Sequence, residues 1–275
     1  MATTFHIAGV NGSIEGNGEQ TLVMIHGWPD TQALWQNQVA FFKNDYRCVT
    51  FTLPLFDEPQ ARPKVFSLED IIDTIRQVID YVSPDKPVIL MVHDWGAIYG
   101  YQYVVRYPKK VSRLIGIDVG DAYSEEFNAS LTVKDKLVIA GYQLPLVIGF
   151  RLNGSIGNKI ARTVGKVLGA PAASQTIHAN MGYPYYVAWT KAKGGFKNLQ
   201  SINFTCPYLF VYGTQKPTMF HSEAWLVKIR QQPNNQVSGF KTSHWVTVDK
   251  PTLFNHTVLT LSLIHISEPT RLLSI

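Results

Sequence analysis

The sequence is poor in cysteine, in charge and in long apolar runs, and each shortage removes a class of protein. Two cysteines in 275 residues, Cys48 and Cys206, are too few for a disulfide-stapled scaffold. No Cys/His spacing suits a metal, and both cysteines lie in strand-like apolar settings that fit buried free thiols. Charged residues are 16% of the chain, and the net charge of +5 reads as dispersed, with Lys109-Lys110 the one tight basic pair in the body. Nucleic-acid binding is therefore not expected. The most apolar stretch, Leu137 to Leu152, is broken by Gln143, Pro145 and Arg151 and is too short to span a bilayer. The opening MATTFHIAGVNG lacks a basic segment followed by an apolar one, so no secretory leader is expected and a cytoplasmic setting is. There is no internal repeat or low-complexity tract.

Apolar residues, in contrast, are plentiful at 45%, with 12% aromatic, enough for one large domain or one domain with an insertion. Phe5 to Ala8 and Gly12 to Glu15 suggest an opening hairpin. Leu22 to Ile25, Tyr46 to Leu53, Val88 to Val92 and Val111 to Ile117 read as strands. Ala33 to Phe42 reads as a helix. Another starts at Ser67-Leu68-Glu69-Asp70, with Leu68, Ile71, Ile72, Ile75, Ile79 and Val82 on one face. The alternation stops at about Asp121, and residues 121–199 read as helices joined by Gly and Pro. Strand character returns at Pro207 to Tyr212, followed by a helix at Glu223 to Gln231 and a strand at Gln236 to Phe240. Such alternation predicts a mostly parallel sheet with right-handed crossovers.

The chemistry concentrates at three places. Val92-His93-Asp94-Trp95-Gly96-Ala97 joins a buried strand to a helix expected from Ile98 to Tyr107. His26-Gly27-Trp28-Pro29 follows the strand Leu22 to Ile25. Ser243-His244-Trp245 follows the last strand. A strand, a tight turn with small residues and a helix form a nucleophile elbow, and here the nucleophile position holds Asp94. A carboxylate there suits displacement at saturated carbon, giving an ester that water cleaves.

On these motifs, over roughly residues 5 to 260, the chain resembles the α/β-hydrolases with an aspartate nucleophile, the epoxide hydrolases and haloalkane dehalogenases. The resemblance implies an α/β-hydrolase fold: an eight-stranded, mostly parallel sheet flanked by helices, with residues 1–120 and 200–260 as core and 121–199 as a helical cap. It implies Asp94 as nucleophile, His244 as water-activating base, and the N–H groups of Trp28 and Trp95 as oxyanion hole, with their indoles walling the cavity. His26 is expected to hold its loop in shape. Epoxide hydrolases usually place the third acid after the strand read as Pro207 to Tyr212, where this chain has Gly213-Thr214-Gln215-Lys216-Pro217. Many dehalogenases place it after the preceding strand, in register with Asp118. Asp118 is therefore preferred, with Asp121 and Glu223 as alternatives.

Lid tyrosines serve epoxide opening in that family, which points to Tyr185 and Tyr186 ahead of Tyr183, with Tyr123 and Tyr142 as further donors. The implied activity is epoxide hydrolysis to a vicinal diol on a small apolar substrate, without metal or cofactor. HGWPD favours epoxide hydrolases, whereas the position of Asp118 leans towards dehalogenases. A non-catalytic binder on the same fold is a third reading. A fluoroacetate-type dehalogenase would need an arginine that the elbow lacks. Residues 261–275 open with LSLIHISEPTR, which resembles a translated sequencing adapter. They are read as a non-native tail of a gene assembled from environmental or transcriptome reads, cutting short a last helix that starts near Pro251.

Overall fold

The computed structural model describes residues 2–264. In chain order the elements are β1 (Thr3–Ile7), β2 (Val10–Glu15), β3 (Thr21–Ile25), α1 (Gln36–Phe42), β4 (Arg47–Phe51), α2 (Leu68–Val82), β5 (Val88–His93), α3 (Trp95–Arg106) and β6 (Val111–Ile117). Then come α4 (Glu125–Ser130), α5 (Val133–Leu152), α6 (Gly154–Leu168), α7 (Tyr183–Thr190), β7 (Tyr208–Gly213), α8 (Glu223–Arg230), β8 (Gln236–Phe240), α9 (Val246–Asp249) and α10 (Pro251–Ile264). Most of the tail expectation, residues 265–275, lies outside the described residues; residues 261–264 continue α10.

The eight strands form one sheet in the order β1-β2-β4-β3-β5-β6-β7-β8. The β1–β2 and β2–β4 pairs are antiparallel, and all pairs from β4 through β8 are parallel. Ala8 and Gly9, both at positive φ, turn the β1–β2 hairpin, as a two-residue loop between twisted strands requires. In β3, Leu22 and Met24 point into the layer with Trp35, Phe42 and Phe254, while Val23 and Ile25 point into the layer with Ile71, Ile75 and Tyr101. Both faces are covered, so β3 and β5 are buried at every residue and read as continuous apolar runs.

The expected face of α2 is buried throughout, and Ser67 and Asp70 close a reciprocal capping box at its start. Three local expectations are corrected. The helix after the elbow begins at Trp95 rather than Ile98, because the Asp94 carbonyl already accepts from the Ala97 and Ile98 N–H groups. Pro145 does not join two helices but lies inside the twenty-residue α5. Its ring would press on the carbonyl four residues back, which belongs to the exposed Gly141, where water can take the freed acceptor. Cys48 is buried and Cys206 half-buried, both as free thiols; Cys206 sits just before β7 rather than in a strand.

Between β6 and β7 the chain leaves the sheet for α4 to α7. α5 and α6 form a hairpin that approaches closely at Gly149 and Gly157: a Cβ on Gly157 would lie 2.3 Å from the Gly149 carbonyl oxygen. No described helix is long and apolar enough to cross a membrane. Replacing Ser67 with Ala removes one half of the α2 capping box, and urea unfolding should show a loss of about 1 kcal/mol.

Candidate active site

The residues singled out by motif follow the carboxyl ends of adjacent parallel strands. His26 to Trp28 follow β3, Asp94 follows β5, Asp118 follows β6, Thr214 to Lys216 follow β7, and His244 lies in the loop after β8. In such sheets, ligands sit at this end. Asp94 occupies a turn with φ 55° and ψ −124°, a conformation an L-residue holds only under constraint. It thrusts the carboxylate out of the strand-to-helix turn. The turn lies against the β3 loop with no room for side chains. A Cβ on Gly27 would fall 2.2 Å from Asp94 Oδ1, and one on Gly96 2.4 Å from the Ile25 and His26 carbonyl oxygens.

His26 holds that loop from within. Its Nε2 accepts the Leu53 N–H at 2.9 Å, and its Nδ1 donates to the Gly27 carbonyl at 2.9 Å. Burial lowers its pKa to about 4, so it is neutral in this role. The loop in turn aims the Trp28 N–H at Asp94 Oδ1, 2.6 Å away, and the Trp95 N–H also supports the carboxylate. The other oxygen, Oδ2, lies 3.4 Å from His244 Nε2.

On its far side the His244 ring bonds through Nδ1 to Asp118 Oδ2. The structure therefore puts Asp118 against the imidazole, and neither alternative. Asp121 accepts from the Ser222 N–H and hydroxyl and from the Ser124 hydroxyl, tying the start of the insertion to α8. Glu223 is exposed in the first turn of α8. Asp118 is fully buried and takes a positive φ of 66°, with the Gly213 N–H donating to Oδ1 at 2.9 Å.

The same Oδ1 is paired with Lys216 Nζ, whose side chain is 6% exposed. This lysine stands in the segment where an acid was looked for, and its role escaped the sequence reading. The signal was there in Gly213-Thr214-Gln215-Lys216-Pro217: a charge in a loop otherwise bound for burial implies a partner. His93, also unassigned from sequence, packs behind His244 with ring centroids 4.5 Å apart and the rings tilted at 43°.

Electrostatics follow from this row of charges. Burial alone would raise the Asp94 and Asp118 carboxyls. For Asp94, His244 outweighs it; for Asp118, Lys216 and His244 do, and both acids are held below the usual range. Burial alone would lower the His244 pKa, but Asp118 and then Asp94 raise it to about 9. The resting imidazole is therefore cationic at neutral pH, between two carboxylates.

Asp94, His244, Lys216, Trp28, Tyr142 and Tyr185 share the wall of a cavity of about 150 Å³, below the roughly 300–1,000 Å³ of drug-sized sites. Tyr185 is buried, its ring edge-on to Trp28, Trp95 and Tyr142. Burial, with the Asp94 charge, raises its pKa well above 10, which keeps the phenol protonated. Tyr186 is not in the cavity wall; it packs on Phe150. Tyr183 is buried against Phe56 and Phe66. Tyr123 faces a different cleft of about 520 Å³ beside Asp121 and Trp225, which holds no nucleophile–base pair. Trp28 lines the cavity and its indole N–H has no partner, while Trp95 backs Tyr185 and stacks on Phe196.

The buried, charge-assisted His244–Asp118 bond should give a proton resonance far downfield of the amides. One-dimensional NMR should show it lost in Asp118→Ala and kept in Asp121→Ala and Glu223→Ala. Persistence in Asp118→Ala would assign the imidazole a different partner.

Comparisons with known proteins bear on the fold. A sequence profile described as the alpha/beta hydrolase fold matches residues 20–145. The chain is 31% identical over 109 residues to a cis-3-alkyl-4-alkyloxetan-2-one decarboxylase of Shewanella oneidensis, covering 38% of this chain and 34% of that protein. It is 32% identical over 104 residues to Epoxide hydrolase 1 of Caenorhabditis elegans, covering 36% and 25%. It thus spans about a third or less of the length of these curated relatives. Among solved structures it is similar to a Bacillus megaterium epoxide hydrolase in complex with an inhibitor, with TM-score 0.72, 23% identity and coverage of 95% and 100%. A Vigna radiata epoxide hydrolase superimposes with TM-score 0.68 at 15% identity, covering 96% and 97%. At these identities the structural likeness is one of fold.

Proposed function

We propose, from the premise that this chain has the α/β-hydrolase fold, that it is an epoxide hydrolase working through an ester on Asp94. The observation that carries the reading is the placement of the two Asp94 oxygens, one on the Trp28 N–H and the other facing His244. Asp94 Oδ2 attacks a ring carbon, and the carbon–oxygen bond breaks. Tyr185 gives its proton to the departing alkoxide, which is a poor leaving group without one. The tyrosinate regains a proton from the His244 imidazolium by way of solvent.

Esterification removes the Asp94 charge, so His244 loses one of the two anions that keep it cationic. Neutral His244 then takes a proton from water, and the hydroxide adds to the ester carbon. Charge develops on Oδ1, where the N–H groups of Trp28 and Trp95 receive it. Collapse expels the diol alkoxide, which takes the proton of the Asp94 carboxyl. The resting pair of carboxylate and imidazolium returns. Residues 121–199 act as the cap, bringing Tyr142 and Tyr185 over the nucleophile.

A second reading, haloalkane dehalogenase, is favoured by the unpartnered Trp28 indole on the cavity wall, a donor suited to a halide. A panel of small epoxides, haloalkanes and a dialkyl oxetan-2-one, followed by diol, halide and alkene formation, separates these activities. With the active class, His244→Gln should accumulate an adduct on the peptide carrying Asp94, seen by mass spectrometry. Absence of any Asp94 adduct with a proven substrate overturns the mechanism.

For epoxides, Tyr185→Phe should slow ring opening on the order of 10²–10⁴-fold, and Tyr186→Phe should leave it within about threefold. The resting imidazole has a pKa of about 9, raised by two anions of which the ester keeps one. Single-turnover ester hydrolysis should therefore rise with pH through an apparent pKa below 9 and level off above it. An apparent value at or above 9 would contradict the loss of Asp94 charge as the trigger.

A further inference from the structure

We propose that Lys216 is a positioning residue that keeps His244 neutral, and so ready to activate water, once Asp94 has been esterified. The proposal rests on the hydrolytic reading of Asp94 and His244. It is carried by an unbroken row of buried contacts, from Asp94 through His244 and Asp118 to Lys216.

Charge counting along that row gives the argument. At rest the two carboxylates balance imidazolium and ammonium. After esterification only Asp118 remains negative. With Lys216 present, a neutral His244 leaves the row balanced, and an imidazolium would leave it with one buried excess positive charge, which is costly. Without Lys216 the preference reverses: Asp118 and an imidazolium balance each other, and the base is withheld. The same ammonium fixes the Asp118 carboxylate in position, sharing Oδ1 with the Gly213 N–H. Nζ lies 5.1 Å over the Phe220 ring, which itself stands edge-on to His244.

The other titratable groups around His244 do not supply this bias. His93 behind it and His221 beside Lys216 are both lowered, chiefly by burial, to about 4 and are neutral. Asp30, bonded to the Trp245 indole, is raised by burial to about 7. Asp249 holds the Ser243 N–H at the start of the loop.

Lys216→Met, with Lys216→Arg as the charge-keeping control, tests this. In the resting protein, NMR titration of ¹⁵N-labelled histidine should show His244 shifted upward by about one to two pH units in Lys216→Met and restored in Lys216→Arg. That readout needs no substrate, so it stands apart from the proposed activity. With substrate, Lys216→Met should accumulate the Asp94 ester at neutral pH. Its hydrolysis should recover at high pH. An unmoved His244 titration in Lys216→Met overturns the proposal. So does an Arg variant that behaves like Met while circular dichroism shows both folded. A moved titration with no Asp94 ester in any variant would leave the tuning in place and refute the hydrolytic reading.

A different observation carries a second inference. Residues 121–199 hold nine Lys and Arg against four Asp and Glu, so the chain's whole net charge of +5 lies in this segment, contrary to the dispersed reading. On α5, Val133, Leu137, Leu144, Ile148 and Leu152 fall on one helical stripe and are all exposed, Leu137 at 69% and Ile148 at 53%. Exposed Lys134 and Arg151 lie on the same stripe, with Lys136 at its flank. We infer that this face rests on an anionic lipid surface, its leucines among the acyl chains and its cations on the headgroups.

A second copy is disfavoured because two such faces would meet as like charges. The neighbouring face of α5 carries Val138 and Tyr142, which line the Asp94 cavity, so a substrate dissolved in lipid would reach the site directly. Cosedimentation with phosphatidylcholine vesicles, with and without phosphatidylglycerol, tests this. The protein should bind only the anionic vesicles, at least tenfold more weakly in Leu144→Ser/Ile148→Ser and in Lys134→Glu/Arg151→Glu. No binding, or equal binding to neutral vesicles, overturns it. So does a dimer in light scattering that the serine variant dissolves, since the stripe then belongs to a second copy.

Discussion

A row of alternating charges, Asp94, His244, Asp118 and Lys216, runs through a part of the molecule from which water is nearly excluded, and the surrounding structure is arranged to hold it. Asp118 is wholly buried, and the side chains of Asp94 and His244 are only 15% and 13% exposed. Isolated ions there would cost several kcal/mol each. Each stays charged because the next one is opposite in sign and within contact. Two non-glycine residues at positive φ, Asp94 and Asp118, carry local backbone strain to bring their carboxylates to this line. The parallel strands make that possible by ending at a common level, so that five loops converge on one point.

The placing of the Trp28 and Trp95 N–H groups at Asp94 depends on a separate constraint, the close approach of the loops after β3 and β5. Gly27 and Gly96 let the two backbones touch, and His26 fixes the distance from below through Leu53. Covering that junction are aromatic rings: Trp28, Trp95, Tyr142 and Tyr185 meet edge to face. They make the cavity small and of low polarity, in which a fixed N–H or a single charge acts far more strongly than in water. In the proposed mechanism, the loss of one unit charge on Asp94 would therefore reset the neighbouring imidazole and link the two chemical steps.

Much of this was legible in the sequence, for local reasons. β3 and β5 are covered on both faces, so their residues had to be apolar throughout. Ser67 and Asp70 mark the α2 start through bonds three residues apart. Asp94 and His244 stand at turns whose neighbours are diagnostic. What stayed hidden depended on contacts distant along the chain or on helical phase. Tyr185 and Tyr186 look alike in sequence, but successive helical residues point about 100° apart, and only Tyr185 meets the cavity. Pro145 looked like a break because nothing local reveals that the carbonyl it frees is solvated. Lys216 looked like an empty place because its partner, Asp118, lies 98 residues earlier.

The origin of the acid at the end of β6 explains why the lysine is where it is. β6 and β7 are parallel neighbours, with Ile117 opposite Val211, and the Asp118 N–H bonds the Val211 carbonyl. The loops after these two strands therefore open side by side beneath His244, and an acid from either can reach Nδ1. With the acid supplied from β6, the loop after β7 still passes the same spot. An apolar residue there would leave Oδ1 with the Gly213 N–H alone, and a second acid would set two buried carboxylates against each other. A long cation meets both demands. Its four-carbon stem lets Nζ reach Asp118 from a loop that begins beyond Gly213, where backbone closeness to Ser243 leaves no room for a Cβ. Adjacent strand ends thus supply one acid and one base to the same side of the imidazole.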